Sequence, residues 1–150
     1  MNKSHYHYTE SGLDNIYLKN GFVISNDPVY GEGVSIVAMD SLHKVISDGL
    51  THLPRILTGK EFRYLRIELD LSQKSLARML GVTDQTIARW EKGEVPLPQS
   101  NDLLLRLIYK EKTEGCGKVS TLIDQLTDID QESTMQVFLE ESEHQWRMAS

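Results

Sequence analysis

Cysteine is almost missing from this chain: Cys116 is the only one among 150 residues. No internal disulfide can form, which fits a reducing compartment. Long apolar runs are missing as well, and no stretch approaches the ~18 residues that a membrane-crossing helix needs. The opening MNKSHYHYTESG has no apolar centre of the kind a secretory signal carries. We therefore expect a cytoplasmic protein with no membrane partner. Excess positive charge is also lacking, since the formal net charge is −6, the wrong sign for a protein that binds phosphates with its whole surface. There is no phosphate-binding glycine loop, no nucleophile elbow and no metal-type Cys/His spacing. These absences predict neither catalysis nor a cofactor.

What is present is concentrated in LSQKSLARMLGVTDQTIARWEKG, residues 71–93. Ser72 is a good N-cap, because its hydroxyl can accept from the free N–H groups that open a helix. Leu76, Ala77 and Leu80 then form an apolar stripe at helical spacing, and Ala77 is small where two helices must approach closely. Gly81 can adopt the left-handed conformation that stops a helix. Val82 fills the angle of the turn, and Thr83 caps a second helix. Ile87 and Trp90 face inward at i, i+3, leaving Asp84, Gln85, Thr86, Ala88 and Arg89 on the outer face until Gly93 ends the helix. Two short helices around a tight turn form a helix-turn-helix, whose second helix lies in the DNA major groove.

Through LSQKSLARMLGV and TIARWEKGEVPLP the segment resembles the lambda-repressor-like (Cro, or xenobiotic-response-element) class of DNA-binding domain. With YHYTESGLDNIYLKNGF and GEGVSIVAMDSLHKVI upstream, residues 5–110 are most similar to the MqsA/YgiT-type antitoxin family. The resemblance implies a dimeric, sequence-specific transcriptional regulator, and an autorepressing antitoxin more narrowly. One departure stands out: that family carries paired zinc cysteines in its N-terminal module, and this chain has none there. Ser11 stands before Gly12 where a cysteine is expected. His5 and His7 could share one strand face, but a zinc site needs about four ligands, and His43 and His52 are far away in sequence. We expect no metal, with Leu13, Ile16, Tyr17, Leu18 and Phe22 holding the module instead.

Charge is distributed unevenly. Residues 55–92 hold eight basic against five acidic groups, whereas residues 1–54 balance at −3 and residues 119–150 at −6. Local field, not total charge, governs DNA contact. The expected fold is α+β. Residues 1–54 form a small N-terminal module, residues 55–112 an all-α helix-turn-helix domain, and residues 113–150 an acidic extension, helical or partly disordered. Lys19-Asn20-Gly21 predicts a tight hairpin between NIYL and FVIS. Asn26-Asp27-Pro28 and Gly31-Glu32-Gly33 read as loop, Val34–Val37 as a short strand and Asp40–Ser47 as a helix. Leu53-Pro54 marks the linker. Thr58 caps a helix over 59–69, with Phe62, Leu65, Ile67 and Leu69 in the core. A further helix over 99–109 buries Leu103, Leu104, Leu107 and Ile108. Another is expected over 119–126, and Met135, Val137, Phe138 and Leu139 suit a terminal helix or disorder.

Gln85 and Arg89 lie one turn apart on the outer face of the second helix, with Thr86 beside them. Arg suits guanine O6/N7 and Gln suits adenine N6/N7, so these three are the predicted base readers. Thr83, Asp84 and Gln73 near helix starts, with Lys74, Arg78 and Lys92, are the predicted phosphate and positioning set. For Asp84 a capping role ranks ahead of a cytosine contact. Leu76, Ala77, Gly81, Val82, Ile87 and Trp90 are the structural core of the motif. The expected partners are double-stranded DNA with a palindromic operator and a second copy of the chain. The alternative is a protein-interaction module whose N-terminal part binds a toxin or other protein, which predicts exposed apolar surface on residues 1–54.

Overall fold

The computed structural model describes residues 5–114 and 136–149. The chain divides into two compact units, Met1–Ile46 together with Thr134–Ser150, and Ser47–Ser133. The class is α+β: strands at both ends of the described chain and five helices between them.

In the first unit, β1 (Tyr6–His7), β2 (Ile16–Leu18), β5 (Val137–Ser142) and β6 (Gln145–Met148) form one sheet in the order β1-β2-β5-β6. The β2–β5 pair is parallel and the other two are antiparallel. Alternation sends Ile16, Leu18 and Leu139 into the core, while Tyr17 and Phe138, directly paired, stack on the opposite face at 5.4 Å. Of the residues expected to hold this module, Leu13, Ile16 and Leu18 are buried; Tyr17 and Phe22 are half-buried. Trp146 is buried and donates its indole N–H to the Val37 carbonyl.

Three local expectations differ from the structure. The terminal helix or disorder expected at Val137, Phe138 and Leu139 is instead the first strand of the hairpin β5–β6, and β5 lies inside the sheet; Met135 lies outside the described residues. Lys19-Asn20-Gly21 does not close a hairpin; it carries the chain from β2 to a different sheet. The Asn20 side chain accepts from Glu141 N at 2.6 Å, so the turn residues serve a strand pairing across 121 positions. Gly21 has φ +77°, and a Cβ there would collide with the Trp146 ring. The hairpin that does form joins β3 (Phe22–Asp27) to β4 (Gly31–Ile36), so Asn26, Asp27 and Gly31–Gly33 are strand, not loop. Asp27 Oδ1 closes its turn by accepting from Val29 N at 2.7 Å and Tyr30 N at 3.0 Å.

Helix α1 (Met39–Thr51) follows, and then α2 (Gly59–Glu68), α3 (Gln73–Leu80), α4 (Asp84–Lys92) and α5 (Gln99–Glu114). Thr58 opens α2 with a capping box: its side chain accepts from Glu61 N, and the Glu61 carboxylate accepts from Thr58 N. Phe62, Leu65 and Leu69 are buried as their spacing predicts. Ile67 is 50 % exposed and leaves the predicted core, because it points away from the stripe the others share.

The inward face of α5 also differs. Leu105, Tyr109 and the ion pair Asp102–Arg106 are buried, while Leu104 is 43 % exposed and Leu103, Leu107 and Ile108 are half-buried. Arg106 reaches Asp102 at 2.9 and 3.1 Å and donates to the carbonyls of Leu53 and Arg55. A fully satisfied arginine thus takes the place that hydrophobicity assigned to leucines. The helix expected over 119–126, and Cys116, lie outside the described residues.

Candidate DNA interface

The helix-turn-helix is assembled by local chemistry. Ser72 Oγ accepts from Ser75 N at 3.0 Å to start α3. Gly81, at φ +71°, stops it, and its N–H closes on Ala77 O. Thr83 Oγ1 accepts from Thr86 N at 3.2 Å to start α4, and Gly93 at φ +75° ends it. Leu76, Ala77, Ile87 and Trp90 are buried, Val82 is half-buried and Gly81 is exposed. Trp90 meets Phe62 edge-on, with centroids 5.9 Å apart.

With that side of α4 buried, Gln85 and Arg89 are exposed on the other and Thr86 is half-exposed. The Thr86 hydroxyl lies 2.8 Å from that of Thr83, so both belong to the helix start. Asp84 is exposed, and its Oδ1 accepts from Gln85 N at 3.0 Å. Lys74, Arg78 and Lys92 are exposed. Gln73 is placed differently from the rest: its Nε2 donates to Glu91 Oε1 at 3.0 Å.

Glu91 is the residue that sequence reading missed. It is buried at the end of α4, where Arg66 of α2 grips it with two bonds of 2.7 and 3.0 Å. Arg66 also donates to Leu71 O at 2.8 Å. The Arg66–Glu91 pair therefore ties α2, the α2–α3 turn, the first residue of α3 and the last turn of α4. A charge this deep is tolerable only when paired and hydrogen-bonded. Arg66 and Glu91 stand 25 positions apart, so no helical spacing announces the pair. Gly59 is a second such feature. A Cβ there would run into the carbonyls of Trp90 and Glu91, so the absence of a side chain lets the start of α2 meet the end of α4. That contact sets the positive end of one helix against the negative end of the other.

Among the described residues, no group of three or more His, Cys, Asp or Glu gathers at metal-holding distance. His7 stacks on Tyr17 at 4.4 Å and donates from Nε2 to Asp14 O at 2.7 Å. No described helix is long and apolar enough to cross a membrane.

Residues 62–101, from α2 into α5, match the family model described as Helix-turn-helix. No curated protein and no solved structure matches the chain. The capped α3–turn–α4 geometry and the family match agree, and this segment is a DNA-binding helix-turn-helix of the kind carried by transcriptional regulators.

Proposed function

We propose that the protein is a sequence-specific, dimeric transcriptional repressor, acting on its own operator, that reads the major groove with α4. The observation that carries this is the placement of Gln85 and Arg89, exposed one turn apart on a helix whose other side is locked by Ile87 and Trp90. Thr86 completes the reading face. Lys74, Arg78 and Lys92 supply phosphate contacts, Thr83 and Asp84 set the helix start, and Gln73 positions it. One such helix reads only a few base pairs, so useful specificity needs two half-sites about one DNA turn apart and a second copy of the chain. The half-covered Leu103, Leu104, Leu107 and Ile108 of α5 are the contact we assign to that copy.

The test is a mobility-shift titration on the DNA upstream of the protein's own gene, beside random DNA. Wild type should prefer the upstream duplex. Arg89→Ala should lose about 1–3 kcal/mol of that preference while keeping its random-DNA affinity. Equal losses on both duplexes would remove Arg89 from base reading.

A second reading is favoured by the β3–β4 ribbon, where Val23, Ile24, Val29 and Tyr30 are 50–89 % exposed. This is the apolar surface that a protein partner, such as a toxin, would cover. Co-purification of the ribbon-bearing protein with the product of a neighbouring gene, lost in Tyr30→Asp, is the measurement for it.

A further inference from the structure

Glu91 has one negative charge and two cations around it. Arg66 already satisfies it through a bidentate pair, with both side chains at most 10 % exposed. Arg63, one turn earlier on α2, holds its Nε 3.9 Å from Glu91 Oε1 and is 57 % exposed. At that distance it makes a charge contact with Glu91 but no hydrogen bond there. Arg63, Arg66 and Glu91 together therefore leave one positive charge over, and that charge sits on the exposed member. It borders Gln73, whose amide shares the same Glu91 oxygen and which is the first residue of α3. Glu91 thus does two things: it fixes the last turn of the reading helix, and it holds a solvent-facing guanidinium beside that turn without neutralising it.

We propose that Arg63 is a phosphate-binding residue of this interface, turning from its loose contact with Glu91 to a DNA phosphodiester while Arg66 keeps Glu91 paired. The proposal rests on the DNA-binding reading above. It assigns Arg63 to affinity rather than to sequence choice, since a phosphate carries no base identity.

The experiment compares the full chain with Arg63→Gln and Arg63→Lys on upstream and random-sequence duplexes between about 50 and 200 mM salt. Each phosphate contact adds about 0.9 to the slope of log affinity against log salt. Arg63→Gln should lower that slope by about 0.9 on both duplexes, an affinity loss of about eightfold at 0.1 M salt. Arg63→Lys should keep the slope, because a point charge also releases a counterion. A slope unchanged in Arg63→Gln overturns the assignment, whether affinity holds or falls, since a fall alone would mean a structural role. No salt-dependent binding by the wild type would instead overturn the DNA-binding reading itself, and this proposal with it.

Discussion

Asp27 and Asp102 show how far the surroundings of one residue type decide its role. Asp27 is fully exposed, and the N–H groups of Val29 and Tyr30 hold its carboxyl below the usual carboxylate range. A folded-state value below the unfolded one means the stabilisation is present above about pH 4 and is lost as pH falls through the folded value. The Val29 and Tyr30 amide shifts should therefore titrate together, with an inflection under the ordinary aspartate value, and Asp27→Asn should erase it. An inflection at the ordinary value would show that the turn does not engage the carboxylate. Asp102 lies at the other extreme. Burial pushes its carboxyl up, and the Arg106 charge pulls it part of the way back.

That second aspartate sets the orientation of an element. The Asp102–Arg106 pair and the Leu53 and Arg55 carbonyls anchor α5 through polar groups that have every bond they need. Arg106→Met should cost about 3–5 kcal/mol in urea unfolding, because it strands a buried carboxylate. Adding Asp102→Leu should recover most of that loss, and a double variant no more stable than the single would contradict the account. This helix also marks where the sequence stops being legible. Thr58, Ser72, Thr83, Gly81 and Gly93 announce their roles within four residues, since caps and left-handed stops are local devices. The caps and stops of the α3–α4 pair could therefore be read to the residue. On α5 the same reading chose Leu103, Leu104, Leu107 and Ile108, because nothing local reveals that Arg106 finds carbonyls more than 50 positions away. The Glu91 cluster and the β2–β5 pairing were hidden for the same reason: their partners are distant in sequence and close only in space.

For the molecule as a whole, the sheet of the first unit is discontinuous in sequence. Its interior strand β5 and the buried Leu139 and Trp146 come from the far end of the chain. A chain ending at residue 135 should therefore lose the fold of residues 5–37 while keeping that of 58–110. In an amide correlation spectrum the first set should collapse to coil positions and the second should stay dispersed, with Trp90 as an internal marker. Persisting dispersion over 5–37 would show that β1 and β2 stand without β5.

The order of synthesis gives this topology a cost in time. Leu18 leaves the ribosome 121 residues before Leu139, its neighbour-to-be in the parallel pair. At about 5–20 residues per second that is a wait of roughly 6–24 s. The helices can close during that interval, but β2, with Ile16 and Leu18, lacks its parallel neighbour until β5 emerges. A nascent chain that holds sticky β-forming residues open for seconds is a natural client for holding chaperones. Slowing translation between residues 18 and 139 should lengthen that dependence.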